Sequence, residues 1–219
     1  MTSLYVADDV VALAKQVLES DTTGHDFYHV ARVARNAVRL YREDFPLASP
    51  STLQLIATMG YLHDVVDEKV TTTPTTRWHQ IMALPTVCRF TPEEQEILRT
   101  TITHMSYAAN LEHHFELPVP GQYVQDADRL DALGAIGIAR AFAYGGAHHH
   151  PIYDPTIPVV MSSNRETYRQ HEETSINHFY EKLLHLEATM NTTAGKKLAH
   201  TRTAYMRAFL DKFMHEWNE

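Results

Sequence analysis

Four side chains that can bind a divalent cation lie on the inner faces of separate predicted helices. They are His29, the adjacent pair His63 and Asp64, and Asp128. The pair closes the apolar run Leu53–Met59, where a buried carboxylate without a partner costs roughly several kcal/mol. One cation would offset that cost, because imidazole nitrogen and carboxylate oxygen both bind metals. Two of each suit Mn²⁺, Fe²⁺, Co²⁺, Ni²⁺ or Zn²⁺.

Each member of this set also has an ordinary alternative. A single His-Asp dipeptide is more often a surface pair at a frayed helix end. A histidine at the start of an apolar stripe, such as His29, is more often a hydrogen-bonded core residue. The metal interpretation therefore depends on all four residues occurring together, with His29, the His63-Asp64 pair and Asp128 at the inner faces of three separate predicted helices.

The segments that must position these residues have the apolar spacing of helices, with hydrophobic residues recurring every three or four positions. No segment shows a convincing strand pattern, so the sequence predicts an all-α protein. The predicted helices cover residues 4–18, 25–41, 50–64, 78–87, 91–107, 123–142, 172–190 and 194–217. We expect one domain over residues 1–219, with residues 172–218 as C-terminal helices that pack on the core.

Residues 144–158 are predicted to form a long loop, because the segment contains Gly145-Gly146 and three prolines. It also contains three consecutive histidines, His148–His150. Consecutive side chains converge poorly on a single ion, so we expect these histidines to be solvated or to belong to a lid.

Composition excludes several classes of protein. The formal net charge of −8 argues against binding to a nucleic acid polymer. Cys88 is the only cysteine, so no intramolecular disulfide can form, and a cytoplasmic location is expected. No signal peptide and no apolar run long enough to cross a membrane are recognised. The sequence leaves the oligomeric state open and allows a homodimer.

Four motifs, taken in order, resemble the HD superfamily of metal-dependent phosphohydrolases, and in detail its small single-domain bacterial members. The resemblance implies an HD-domain helical bundle and covers residues 5–217. The matching segments are His25-Asp26-Phe27-Tyr28-His29-Val30-Ala31-Arg32-Val33, Tyr61-Leu62-His63-Asp64, Asp126-Ala127-Asp128-Arg129-Leu130-Asp131-Ala132-Leu133-Gly134 and Glu181-Lys182-Leu183-Leu184.

The resemblance implies that His29, His63, Asp64 and Asp128 bind one divalent ion. Manganese is the preferred identity, with iron, cobalt, nickel, zinc or magnesium as alternatives. His29 is chosen over His25, because the family pattern has Val and then Ala four and five residues after the ligand. His25 is then expected near the site.

The resemblance also assigns roles around the ligands. Asp126 and Asp131 would orient ligands and balance charge. Asp67 and Glu68 would position the attacking water together with the ligand Asp64, although a merely polar helix end explains the two acids equally well. Further residues are candidates to bind the substrate, and any of the basic ones could instead be a surface charge. These candidates are Lys69, Arg129, His25, His104, Arg165 and Lys182, with Arg32 as a weaker one.

The chemistry implied is hydrolysis of a phosphate ester or anhydride in a small phosphorylated substrate. Branch members include a nucleoside triphosphate pyrophosphohydrolase, and this activity is preferred. A nucleotide monophosphatase or a guanosine tetraphosphate hydrolase is the alternative enzyme. A catalytically silent HD domain that binds a nucleotide is the alternative from another class. Such a domain would be expected to have lost a ligand, and none is lost here.

Overall fold

The computed structural model describes residues 5–19, 24, 26–67, 70–107, 110, 115–161 and 174–219. These residues form helices and connecting turns without a strand, so the all-α prediction is confirmed. A 3₁₀ helix, Leu183–Thr189, lies between the last two α-helices. The α-helices are α1 Asp8–Leu18, α2 Phe27–Asp44, α3 Pro50–Leu62, α4 Pro74–Met82, α5 Pro85–Cys88, α6 Pro92–His104, α7 Val119–Asp131, α8 Gly134–Ala147, α9 Ser175–Glu181 and α10 Thr193–Trp217.

Local sequence signals fix the starts of several helices. The Asp26 carboxylate accepts a hydrogen bond from the backbone N–H of His29 at 2.8 Å and so caps α2. Thr91 and Glu94 form a reciprocal capping box at the start of α6, with Pro92 in the first turn. The Asp26 cap fixes the start of α2, the helix that carries His29 in its first turn.

The centre of the molecule is the packing of α2, α3 and α7 against one another. Gly60 on α3 permits the closest approach, because a Cβ atom there would lie only 2.5 Å from the Cα of Ala34 on α2. Around this contact the helices bury their apolar faces, which is worth about 1.5–3 kcal/mol for each large aliphatic side chain. Fully buried members include Val33, Ile56, Met59, Val124 and Leu130. The three helices thus form a tight frame for side chains placed at their ends.

The single helix predicted over residues 123–142 is wrong, because the chain breaks between α7 and α8. Gly134 has a φ of 73°, in the left-handed region that favours glycine. The carbonyl oxygen of Leu130, at the end of α7, accepts a hydrogen bond from the Arg202 guanidinium on α10. A long-range contact therefore helps to end α7 just after Asp131.

Three other predicted boundaries also need correction. The helix expected over residues 172–190 begins at Ser175 within the described residues and turns at Lys182 into the 3₁₀ helix. The loop expected from residue 144 begins only after Ala147, since Gly145 packs inside α8 against Ser175. Pro85 starts a separate helix, which splits the segment 78–87 in two. No helix among the described residues is long and apolar enough to cross a membrane.

Candidate metal centre

Three helices bring the four predicted ligands together. His29 lies in the first turn of α2 and is fully buried. His63 is the residue that ends α3, and Asp64 follows in the next turn; each is 6% exposed. Asp128 projects from α7, with its side chain 30% exposed. Among the four candidate ligands, Asp128 is the most exposed, so the described part of the cluster is buried on the protein side and reaches solvent beside Asp128.

Oxygen and nitrogen atoms of these side chains converge on one point. Nε2 of His29 lies 3.4 Å from Oδ2 of Asp64 and 3.3 Å from Oδ1 of Asp128. Nε2 of His63 lies 3.3 Å from Oδ1 of Asp64 and 3.7 Å from Oδ1 of Asp128. Two atoms that each lie about 2.1 Å from one ion would be roughly 3.0–3.4 Å apart in octahedral or tetrahedral geometry.

The residues present therefore fit a divalent ion. His29, His63 and Asp64 each offer a ligand atom, and these atoms lie within 4.8 Å of one another. Nε2 of His63 is buried and makes no hydrogen bond with the part of the chain that the structure describes. Such an atom needs a partner, and an ion among these carboxylates would provide one.

The tautomers of both histidines are set by the hydrogen bonds of their other nitrogen. The Nδ1–H of His63 donates to the carbonyl oxygen of Gly60 at 2.9 Å, one turn earlier on α3. The Nδ1–H of His29 donates to Oδ2 of Asp131 at 2.7 Å. In both rings the lone pair of Nε2 is thereby turned towards the two remaining carboxylates, as metal-binding imidazoles require.

Asp131 holds His29 within a network of buried charges. Arg32 donates to both carboxylate oxygens, from Nε at 2.8 Å and from Nη2 at 2.9 Å, and Arg140 donates from Nη1 at 3.2 Å. Burial alone would raise the pKa of Asp131, but the hydrogen bonds from His29 and Arg32 hold it well below its usual range. Asp131 therefore stays ionised and holds the His29 ring through their hydrogen bond. Its role in orienting a metal ligand stays a prediction.

The carboxylates and imidazoles of the cluster also shift one another's protonation. Burial lowers the pKa of His63, but Asp64 and Asp128 outweigh this and raise it to about 9. Burial would raise the pKa of Asp128, whereas the neighbouring imidazoles of His29 and His63 lower it well below its usual value. The carboxylates thus favour positive charge at this point. A metal cation would therefore compete with protons for the imidazole nitrogens and carboxylate oxygens.

Some predicted site residues lie elsewhere or outside the described residues. His25, Glu68, Lys69 and Arg165 belong to the latter group. Asp67 is half-buried in the turn after Asp64, and its backbone N–H donates to the Asp64 carbonyl oxygen at 3.1 Å. Its position one turn beyond the ligand pair is as the sequence predicts.

Three remaining candidates make contacts with residues outside the cluster of predicted metal ligands. Arg129 is buried and donates to the carbonyl oxygen of Thr189. The ring of His104 stacks on Phe115, with centroids 4.2 Å apart. The Nζ of Lys182 lies 5.0 Å from the centre of the Tyr107 ring.

Sequence reasoning missed two parts of the centre. Arg32, a weak phosphate candidate, binds Asp131, and Arg140 does so as well, although no sequence pattern pointed to it. Arg140 reaches Asp131 because α8 folds back after the break at Gly134, and no local pattern signals that turn.

His148, from the run of three histidines, stacks on Tyr144 with ring centroids 3.9 Å apart. The described clusters of metal-binding side chains do not include it.

Comparison with known proteins agrees with this arrangement. The family model described as HD domain matches residues 26–133, which include all four candidate ligands. A solved Lactobacillus plantarum protein is 40% identical, with a TM-score of 0.82, covering 96% of this chain and 95% of that one.

Two solved Bacillus proteins are also similar. An HD-superfamily hydrolase from Bacillus thuringiensis is 37% identical, with a TM-score of 0.69 and 96% of each chain covered. Bacillus subtilis YpgQ, solved in complex with ADP, is 30% identical, with a TM-score of 0.73 over 99% of this chain and 97% of that one. The identity, the coverage and the family match over residues 26–133 together show that this chain belongs to the HD superfamily.

Proposed function

We propose that this protein is a metal-dependent phosphohydrolase that cleaves a phosphate ester or anhydride of a nucleotide. The observation that carries the proposal is that Nε2 of each of the two imidazoles lies 3.3–3.7 Å from an oxygen of each of the two carboxylates. Membership of the HD superfamily, which includes a B. thuringiensis relative described as a hydrolase, supports the reaction class.

His29, His63, Asp64 and Asp128 would hold the ion, with manganese as the preferred metal. When bound, a divalent ion supplies Lewis acidity towards a phosphoryl oxygen and lowers the pKa of a coordinated water. The protein's own contribution is positional. Asp131 fixes the His29 ring, and the Gly60 carbonyl fixes the His63 ring, so both nitrogens are preorganised before the ion arrives.

Asp67 and Glu68 are proposed to orient the attacking water. Asp67 lies in the turn directly after the ligand pair, close in sequence to Asp64 but not among the clustered ligand atoms. A carboxylate there accepts a hydrogen bond from water and can take its proton as the bond to phosphorus forms. The open side of the cluster, at the partly exposed Asp128, is the side from which substrate would approach.

A nucleotide is proposed as the substrate, and the YpgQ structure with ADP supports this choice. Release of pyrophosphate from a nucleoside triphosphate is preferred. Release of phosphate from a monophosphate, or removal of pyrophosphate from guanosine tetraphosphate, is the alternative reaction. A silent domain that binds a nucleotide without hydrolysis is the alternative from another class.

The experiment is a hydrolysis screen of purified protein loaded separately with Mn²⁺, Fe²⁺, Co²⁺, Ni²⁺, Zn²⁺ or Mg²⁺. Each form is incubated with a panel of nucleotides, and phosphate and pyrophosphate are resolved as products. We expect pyrophosphate from a triphosphate and no turnover by a matched Asp128→Ala preparation. Binding of nucleotide without product in any metal form would refute the phosphohydrolase and favour the silent domain.

A further inference from the structure

One arginine beside the candidate metal centre comes from outside the matched family domain. The HD domain match ends at residue 133, and Arg140 lies on the next helix, α8. Its Nη1 donates to Oδ2 of Asp131 at 3.2 Å, and the same oxygen accepts from Nδ1 of His29 at 2.7 Å. A single carboxylate oxygen therefore separates Arg140 from the ring of a candidate ligand.

Arg140 is enclosed, and Asp131 is its only ion-pair partner in the described part of the chain. Its side chain is 18% exposed, and its Nε is buried without a hydrogen-bond partner there. Gly24, with a φ of 97°, lies against the aliphatic stem, since a Cβ atom there would be 3.2 Å from Nε of Arg140. The guanidinium is thereby held in place, and its charge acts chiefly on Asp131.

Asp131 does not depend on Arg140 for its own position. Arg32 binds both carboxylate oxygens, from Nε at 2.8 Å and from Nη2 at 2.9 Å, and such bidentate pairing fixes the plane of the carboxylate. Arg32 is also attracted by a second acid, Asp26, so its charge is shared between two carboxylates. The contribution left to Arg140, with one longer hydrogen bond, is mainly its charge.

Oδ2 of Asp131 has more donors around it than one oxygen readily serves. His29, Arg32 and Arg140 all donate to this atom, at 2.7, 2.9 and 3.2 Å. A carboxylate oxygen offers about two lone pairs, so the three donors compete. A carboxylate makes an imidazole a better metal ligand by raising its basicity, and a carboxylate neutralised by guanidinium groups does so less.

We infer that Arg140 acts on the metal centre through Asp131 and lowers its affinity for a divalent cation. The guanidinium reduces the charge that Asp131 lends to His29, and it also repels the cation. The inference rests on the proposed function, because it requires His29 to be a metal ligand. It adds that a helix beyond the matched domain sets the strength of metal binding, and that a weaker donor at His29 leaves the ion a stronger Lewis acid.

The test measures Mn²⁺ affinity calorimetrically, without turnover, with thermal unfolding as the check of folding. Arg140→Gln should tighten Mn²⁺ binding by about three- to tenfold, because it removes a unit charge of the cation's own sign. Arg140→Met keeps an aliphatic stem against Gly24 and should give a similar gain. Arg140→Lys keeps the charge and should stay within about twofold of wild type.

Two other arginines supply the comparisons. Arg32→Gln should weaken Mn²⁺ binding, because the carboxylate loses the two hydrogen bonds that fix it. Arg99→Gln removes the same unit of charge from α6, where Arg99 pairs with Glu96 and contacts no candidate ligand, and should leave the affinity unchanged. A purely structural role for Arg140 cannot produce tighter binding, since a loosened site binds its ion less well.

Equal or weaker Mn²⁺ binding in Arg140→Gln and Arg140→Met would overturn the inference even if the protein hydrolyses a nucleotide. A gain of the same size in Arg32→Gln or Arg99→Gln would overturn it too, as would failure of both neutral Arg140 variants to fold. No Mn²⁺ binding by wild type would overturn both the inference and the proposed metal centre. Tighter binding confined to the neutral Arg140 variants, in a protein that hydrolyses no nucleotide, would support the inference and remove only the phosphohydrolase proposal.

Discussion

The substitution Asp131→Asn should disturb the hydrogen bond that orients the His29 ring while leaving the His29 side chain in the protein. Asp131 is 1% exposed and accepts one hydrogen bond from His29, two from Arg32 and one from Arg140. Asparagine keeps the shape but replaces one acceptor oxygen with an NH₂ group that faces these donors. The two guanidinium groups also lose their shared counter-charge.

Two effects of different size are expected. Loss of a carboxylate that orients a metal-binding histidine typically costs about 10–100-fold in metal affinity, which is about 1.4–2.7 kcal/mol at 1.36 kcal/mol per factor of ten. Loss of one member of a buried charge network costs about 3–5 kcal/mol in the free energy of unfolding. We expect about 3 kcal/mol here, because asparagine keeps one acceptor.

The assay pairs calorimetric Mn²⁺ titration with thermal unfolding of the metal-free protein. Asp126→Asn is the matched control, because Asp126 is equally buried on α7 but binds Asn191 and Thr192 and contacts no candidate metal ligand. The control should lose stability and keep Mn²⁺ affinity within about twofold, since the two sites share no partner. Wild-type affinity in Asp131→Asn, or an equal loss in both variants, would refute the reasoning.

The same substitution has a defined pH dependence. The pKa of Asp131 in the folded chain lies below its ordinary value of 3.8. The stabilisation that its charge provides is therefore fully present above that pH and is lost as the pH falls further. The difference in unfolding free energy between wild type and Asp131→Asn should be constant near neutrality and narrow below about pH 4.

Three further substitutions test the site and its frame. Asp64→Ala should abolish activity and most metal retention in elemental analysis, because it removes an anionic ligand; full metal occupancy would exclude Asp64 as a ligand. Asp67→Asn should lower kcat by about 10²–10⁴-fold with near-normal metal content and KM, and an unchanged kcat would make Asp67 part of a polar turn. Gly60→Ala should cost about 1–3 kcal/mol in thermal unfolding, because its Cβ would meet the Ala34 backbone at 2.5 Å. Gly146→Ala, where a Cβ meets nothing within 4 Å, should not destabilise the protein.

Sequence patterns predicted those parts of the structure that depend on nearby residues. The capping box at Thr91 is a three-residue signal, and the apolar stripe of α2 places His29 inward without reference to the rest of the chain. The order of His29, the His63-Asp64 pair and Asp128 predicted the cluster, because His29 and Asp128 lie on α2 and α7 and the pair lies at the end of α3.

Features that depend on distant partners were not predictable in this way. The break after Asp131 involves Arg202, 72 residues beyond the carbonyl that it binds. The guanidinium of Arg129 points to Thr189, and the amides that occupy Asp126 come from residues 191 and 192. Small sequence motifs identify candidate ligands, but only the packed fold shows which charges neutralise one another and which remain available.

Because the four candidate ligands come from α2, the end of α3 and α7, a bound ion should make these three helices unfold more cooperatively. An ion bound at this point would link residues 29 and 128 and so join segments separated by most of the family domain. It would act on the whole three-helix frame, stabilising it by about 2.7 kcal/mol when free metal is present at 100 times its Kd. Amide hydrogen exchange in these three helices should therefore slow together on metal addition, while α4 and α5, which hold no ligand, should respond only through global unfolding.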